Sequence, residues 1–119
     1  MPIPKSLRIA VLRAYADCCG GADFEPESDR HSMRNLNFRS GVLLSRDDAA
    51  LLMAEACPEG YNDFDTEVIR KLPAEARVEI AREHSVCLYV FGASLKACHA
   101  MGADECDSAG AGQVRLWWD

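Results

Sequence analysis

The chain has 119 residues and 13.1 kDa, of which 49% are hydrophobic and 27% charged, a balance that excludes disordered, collagenous and fibrous classes. Thirteen Lys and Arg against 19 Asp and Glu leave a net charge of −6, which argues against direct nucleic-acid binding, because that is driven by cationic displacement of phosphate counterions. No uninterrupted apolar stretch exceeds six residues, as in Val86–Phe91, far short of the ~20 needed to cross a bilayer. Arg8 and Arg13 interrupt the leader-like start, so a cytoplasmic protein is expected. The length suffices for one hydrophobic core, and a single domain over 1–119 is expected.

Ile3, Leu7, Ala10, Val11, Ala14, Tyr15 and Cys18 recur at three- and four-residue spacing, behind Pro4 and ahead of Gly20-Gly21. This predicts a helix over 5–19. Residues 21–31, acidic and broken by Pro26, read as a loop. The alternation Leu36-Asn37-Phe38-Arg39 predicts a half-exposed strand over 33–39, with Ser40-Gly41 as a turn. Val42-Leu43-Leu44 either extends that sheet or plugs the core. Ser45 then caps a helix with Asp47 and Asp48 in its first turn and a buried stripe of Ala49, Leu52, Met53 and Ala56, ended by Pro58 and Gly60.

Asp65 and Glu67 open a short helix over Val68, Ile69 and Leu72, and Pro73 fits the first turn of another over 74–84. Val86–Phe91 has the composition of a strand, but Val86, Val90, Phe91, Leu95 and Cys98 keep helical spacing behind Ser85. A helix ending near Gly102 is expected there. Residues 102–112 read as a loop, and Val114–Asp119 as a short strand paired with 33–39. The expected fold is α+β and mainly helical, with four to five helices on a small antiparallel sheet formed near 33–39 and 113–118.

The charge is sorted in blocks. Asp17, Asp23, Glu25, Glu27 and Asp29 give −5 over 17–29, and Asp47, Asp48, Glu55, Glu59, Asp63, Asp65 and Glu67 give −7 over 47–69, neither block containing a Lys or Arg. Arg30, Arg34, Arg39 and Arg46 lie between them. Acidic surfaces steer association with basic partners; equally, carboxylates favour helix starts and the basic block could fold back on them. Ten of the 13 basic residues are Arg, whose planar fork suits specific pairing with carboxylates. Of the adjacent Trp117 and Trp118, a strand must turn at least one away from the helices, and Arg34 and Arg39 could sit beside it.

Motifs for chemistry are scarce: there is no Gly-rich phosphate loop, His-Glu-x-x-His helix, Gly-x-Ser-x-Gly elbow or Cys-x-x-Cys pair. Asp63, Asp65 and Glu67 open like a calcium loop, but Val68 replaces the required Gly. With no leader, Cys18, Cys19, Cys57, Cys87, Cys98 and Cys106 are expected as reduced and mostly buried thiols. His84, Cys87, Cys98, His99 and Cys106 form the one set that could serve a zinc- or thiol-dependent enzyme or sensor, although structural zinc prefers closely spaced ligand pairs.

The leading expectation is a small acidic, non-enzymatic binding protein without cofactor or metal, an inhibitor or decoy that occupies a basic surface of a protein partner. Its candidate contacts are Asp47, Asp48, Glu55, Glu59, Asp63, Asp65, Glu67, Arg34, Arg39, Trp117 and Trp118. In size and acidity it resembles anti-CRISPR proteins, DNA mimics and immunity proteins of phages and mobile elements, with no shared motif. The alternatives are the zinc or thiol chemistry above and self-association, as a homodimer, through an exposed C-terminal strand.

Overall fold

The computed structural model describes residues 3–15, 37–57 and 64–118. In chain order these form α1 (Lys5–Ala14), β1 (Asn37–Arg39), β2 (Leu44–Ser45), α2 (Arg46–Ala56), a 3-10 helix (Thr66–Lys71), β3 (Arg77–Glu83), β4 (Ser85–Phe91), α3 (Leu95–His99), β5 (Glu105–Gly110) and β6 (Gln113–Trp117). The strands make one antiparallel sheet in the order β1-β3-β4-β6-β5, with β2 also paired to β3. The α+β class therefore holds, while the mainly helical expectation does not, because strands and helices are about equal.

The helix starts follow local chemistry. Ser45 accepts a hydrogen bond from the Asp48 amide at 3.1 Å, with Asp47 and Asp48 at the positive end of α2. Ala49, Ala50, Leu52, Met53 and Ala56 are its buried side. Asp65 caps the 3-10 helix through the Glu67 amide at 3.0 Å. The described part of the first expected helix buries Leu7, Val11, Leu12 and Ala14; the acidic loop, residues 33–36, Pro58 and Gly60 lie outside the described residues.

Four corrections concern the second half. The helix expected over 74–84 is β3: its Ala, Glu and Arg content favours helix, but Val78 and Ile80 alternate with Glu79 and Ala81, and pairing on both sides overrides propensity. The helix expected from Ser85 is β4, buried on both faces, which yields an apolar run whose periodicity cannot separate strand from helix. Only Leu95–His99 of that segment is helical, with Ser94 capping the Ala97 amide. The loop expected over 102–112 contains β5, and β6 lies between β4 and β5 rather than beside β1. The C-terminal strand accordingly has no free edge for self-association; the edge belongs to β5.

One hydrophobic cluster joins the sheet to every described helix: Val78, Ile80, Val86, Leu88, Val90, Val114 and Leu116 meet Val11, Leu52, Met53, Ile69 and Cys98. Trp118 is buried in it, its ring 4.8 Å from that of Phe64 edge-on. A second, smaller cluster on the other face of the sheet contains Ala81, Cys87 and Tyr89, with Phe91 and Trp117 packed against them. No described helix contributes to it. Cys87, Cys98 and Cys106 are free thiols, whereas Cys57 is disulfide-bonded, which corrects the expectation of reduced thiols at that position. No helix of the described residues is long and apolar enough to cross a membrane.

Two substitutions test this arrangement. Trp118→Ala should cost about 3–5 kcal/mol in chemical denaturation, the range for emptying a buried aromatic site, and a loss below about 1 kcal/mol would contradict its core position. Ala111, at φ 51 beside Gly112 at φ 77, occupies the two-residue turn between β5 and β6, where both residues need positive φ. Ala111→Asn should therefore raise stability by about 1 kcal/mol, read as a higher denaturation midpoint.

Candidate functional site

Because the helices share one face of the sheet, the residues of interest are those on the opposite face. Strand alternation places Glu79, Ala81 and Glu83 there from β3, Cys87, Tyr89 and Phe91 from β4, and Gln113, Arg115 and Trp117 from β6. Arg39 joins them from β1, opposite Ala81, and Glu105 and Asp107 from β5, opposite Trp117 and Arg115.

Two carboxylates organise this surface. Glu79, only 5% exposed, accepts both prongs of the Arg39 guanidinium at 2.7 and 3.0 Å and the Gly41 amide at 3.0 Å. The Arg39 guanidinium thereby lies 3.8 Å above the centre of the Tyr89 ring, a stacked cation–π contact. Burial opposes ionisation of Glu79, but the hydrogen bonds from Arg39 and Gly41 prevail and hold its carboxyl below the usual range. The Gly41 bond also closes an excursion of the chain between β1 and β2, which presents Val42 and Leu43 to solvent. A cleft of about 430 Å³ beside them is lined by Pro4, Leu44, Asp48 and Arg77.

Glu83 is the second organiser. One carboxylate oxygen accepts two nitrogens of Arg115 at 2.7 and 3.1 Å; the other accepts the Tyr89 hydroxyl at 2.8 Å and the Cys87 thiol at 3.6 Å. The Arg115 hydrogen bonds dominate and draw the Glu83 carboxyl down to about 2. Burial, followed by the Glu83 charge, pushes the Cys87 thiol up to about 12, and burial with the Glu83 hydrogen bond pushes Tyr89 up to about 12. Arg115 also reaches Glu105 at 2.9 Å and Asp107 at 3.4 Å, so one cation serves three carboxylates. Trp117 is half-buried and donates its ring N–H to the Glu83 carbonyl at 2.8 Å.

Chemically, these groups are fixed rather than poised. A carboxyl near 2 and a thiol and phenol near 12 provide no acid, base or nucleophile that exchanges protons near neutrality. The expected zinc or thiol set comes together only in part: His84 is exposed in the β3–β4 turn, Cys87 lies on the outer face and His99 is exposed on α3, while the buried Cys98 lies close to the half-buried Cys106 on the helix side of the sheet. Among the described residues no group of three His, Cys, Asp or Glu could hold a metal ion.

The acidic block falls differently from an open patch. Asp47 pairs with Arg70 at 2.9 Å and Arg46 at 3.6 Å, Glu67 with Arg70 at 3.4 Å, and Glu55 with Arg8. Asp65 is a cap and Asp48 lines the cleft near Val42. Arg34, Glu59 and Asp63 lie outside the described residues. Of the two tryptophans Trp118 belongs to the core, while Trp117 shares the outer face with Arg39. Glu79, Glu83, Tyr89 and Arg115 were not singled out by the sequence. Their signal was the period-two alternation of Val78 and Ile80 with Glu79 and Ala81, and of Val114 and Leu116 with Arg115 and Trp117.

No family model matches the chain, and no curated protein or solved structure matches it either.

The low position of Glu83 makes a pH prediction. A carboxyl held at about 2 against an ordinary 4.5 adds stability that is fully present above the ordinary value and lost as pH falls through the folded one. Denaturation midpoints of Glu83→Gln and the native protein should therefore converge as pH is lowered from about 5 to about 2. Parallel curves would show that Glu83 is not held this way.

Proposed function

We propose that this is a non-enzymatic binding protein that acts by occupancy, as an inhibitor or decoy does, and that the outer face of its sheet is the surface it presents to a protein partner. The observation that carries this reading is the second cluster, where half-buried Phe91 and Trp117 flank the buried Tyr89 on a sheet face to which no described helix contributes. Arg39 and Arg115 are already locked there by Glu79 and Glu83. Aromatic and Arg side chains dominate interface energetics, and side chains ordered before contact lose little entropy on binding.

The preferred partner surface is basic. Glu79, Glu83, Glu105 and Asp107 outnumber Arg39, Arg77 and Arg115 on this face, and the whole chain carries −6. The block from Asp47 to Glu67 supports this reading less, since Arg8, Arg46 and Arg70 offset much of it.

The test is affinity capture from source cells with tagged native protein, Trp117→Ala, and a double reversal Asp47→Lys with Glu67→Lys, each first shown to be folded. Trp117→Ala should lower recovery of the specific partner about tenfold or more, with the double reversal close to native. Loss on the double reversal with full recovery on Trp117→Ala would overturn the sheet face in favour of the acidic helix block.

A further inference from the structure

The strand β5 ends the sheet, and its charged side chains, Glu105 and Asp107, are both acidic, which guards the edge against like-charged strands but not against a basic one. Edges are commonly blunted by Lys, Pro or a bulge. On the opposite edge, the excursion between β1 and β2, tied down by Glu79, has that effect. Glu105–Gly110 contains no Lys, Arg or Pro, and its pairing irregularity falls between Ser108 and Gly110. Glu105, Cys106, Asp107 and Ser108 thus remain a regular strand that pairs on one side with β6 and has no second neighbour among the described residues. Its outward backbone N–H and C=O groups form a template for another strand.

Charge selects the occupant. Glu105 and Asp107 have side chains 51% and 63% exposed and share the single Arg115 with Glu83, leaving this end of the outer face negative. Pairing with a second copy about a two-fold axis normal to the sheet would set Glu105 and Asp107 against their own counterparts, and like charges facing across strands are destabilising. A strand with Lys or Arg at alternate positions would instead meet both carboxylates on one face, while Ser108 and the half-buried Cys106 leave little bulk on the other.

We propose that β5 is a strand-addition site for an extended basic segment of a protein partner, whose Lys or Arg side chains engage Glu105 and Asp107. This rests on the reading of the protein as a binding protein and names the chemistry of its partner.

The probe is a synthetic ten-residue peptide alternating Arg with Val and Thr, added to the full chain at low salt. Its controls are the same peptide with alternate amides N-methylated, which keeps the charge but removes backbone donors, and an acidic counterpart. The readouts are amide hydrogen exchange and NMR shifts. Strand addition predicts new protection of the outward-facing amides, at alternate residues of 105–108, binding roughly tenfold weaker for the N-methylated peptide, and weakening by Asp107→Asn. Equal binding of the N-methylated peptide would reduce the effect to plain charge attraction and overturn the proposal. So would peptide-induced shifts confined to Tyr89 and Trp117, or concentration-dependent protection of β5 without peptide, which would mark a second copy as the occupant. If the peptide leaves β5 unprotected while Trp117→Ala still abolishes partner capture, the edge proposal fails and the binding reading stands. If the peptide protects β5 and Trp117→Ala has no effect on capture, the sheet-face reading fails instead.

Discussion

The structure depends on the register between β3 and β4. His84 alone separates Glu83 from Ser85, which face each other, and it turns the chain at φ 63. Side chains alternate with period two, so a slip by one residue would carry Val78, Ile80, Val86, Leu88 and Val90 away from the helices and drive Glu79 and Glu83 toward them. Left-handed backbone outside glycine costs roughly 1–2 kcal/mol. The pairing from Arg77–Phe91 to Glu83–Ser85 and the burial of both strands offset it.

That register creates two unlike faces, and they are stabilised by different means. The helix side is apolar packing, anchored by Trp118 and closed by Tyr15, whose hydroxyl reaches the Ala81 carbonyl. The outer side has a small apolar centre beneath long polar side chains, and there the ion pairs must be complete. A carboxylate as buried as Glu79 would be strongly unfavourable without Arg39 and the Gly41 amide. Each of its partners then fixes something further: Arg39 covers Tyr89, and Gly41 shapes the chain between β1 and β2. The side-chain geometry of this face is consequently a by-product of satisfying two buried or half-buried carboxylates.

Much of the first half was legible because its signals are local. The Ser45 cap, the carboxylates after it, the stripe from Ala49 to Ala56 and the Asp65 cap depend on neighbours within one turn. The second half was misread where local and long-range preferences conflict. Residues 74–84 have helix-forming composition but lie between two strands, and Val86–Phe91 is apolar on both faces, so neither composition nor spacing could decide. The half-exposed Trp117 followed from strand alternation alone. Its neighbours Glu83 and Tyr89 did not, because they become neighbours only once β3 and β4 are known to be strands.

The charge pattern shows the same limit from another direction. Blocks that look opposed along the chain neutralise one another in space: Arg8 from the first basic run meets Glu55, and Arg70 bridges Asp47 and Glu67. Such pairs are solvent-screened and each contributes little stability, yet they reduce the field that an acidic run would otherwise project. Among the described carboxylates of the outer face, negative charge is least compensated where one guanidinium is shared. At Arg115 the Glu83 carboxylate is the closest partner, and Asp107 is held at 3.4 Å and largely exposed. A cation approaching from outside would compete there only with a weak existing contact, whereas at Glu79 it would have to displace a two-pronged one. Among the described residues of the outer face, the carboxylates most open to an external cation therefore lie at the β5 end of the sheet, beside the half-buried Trp117.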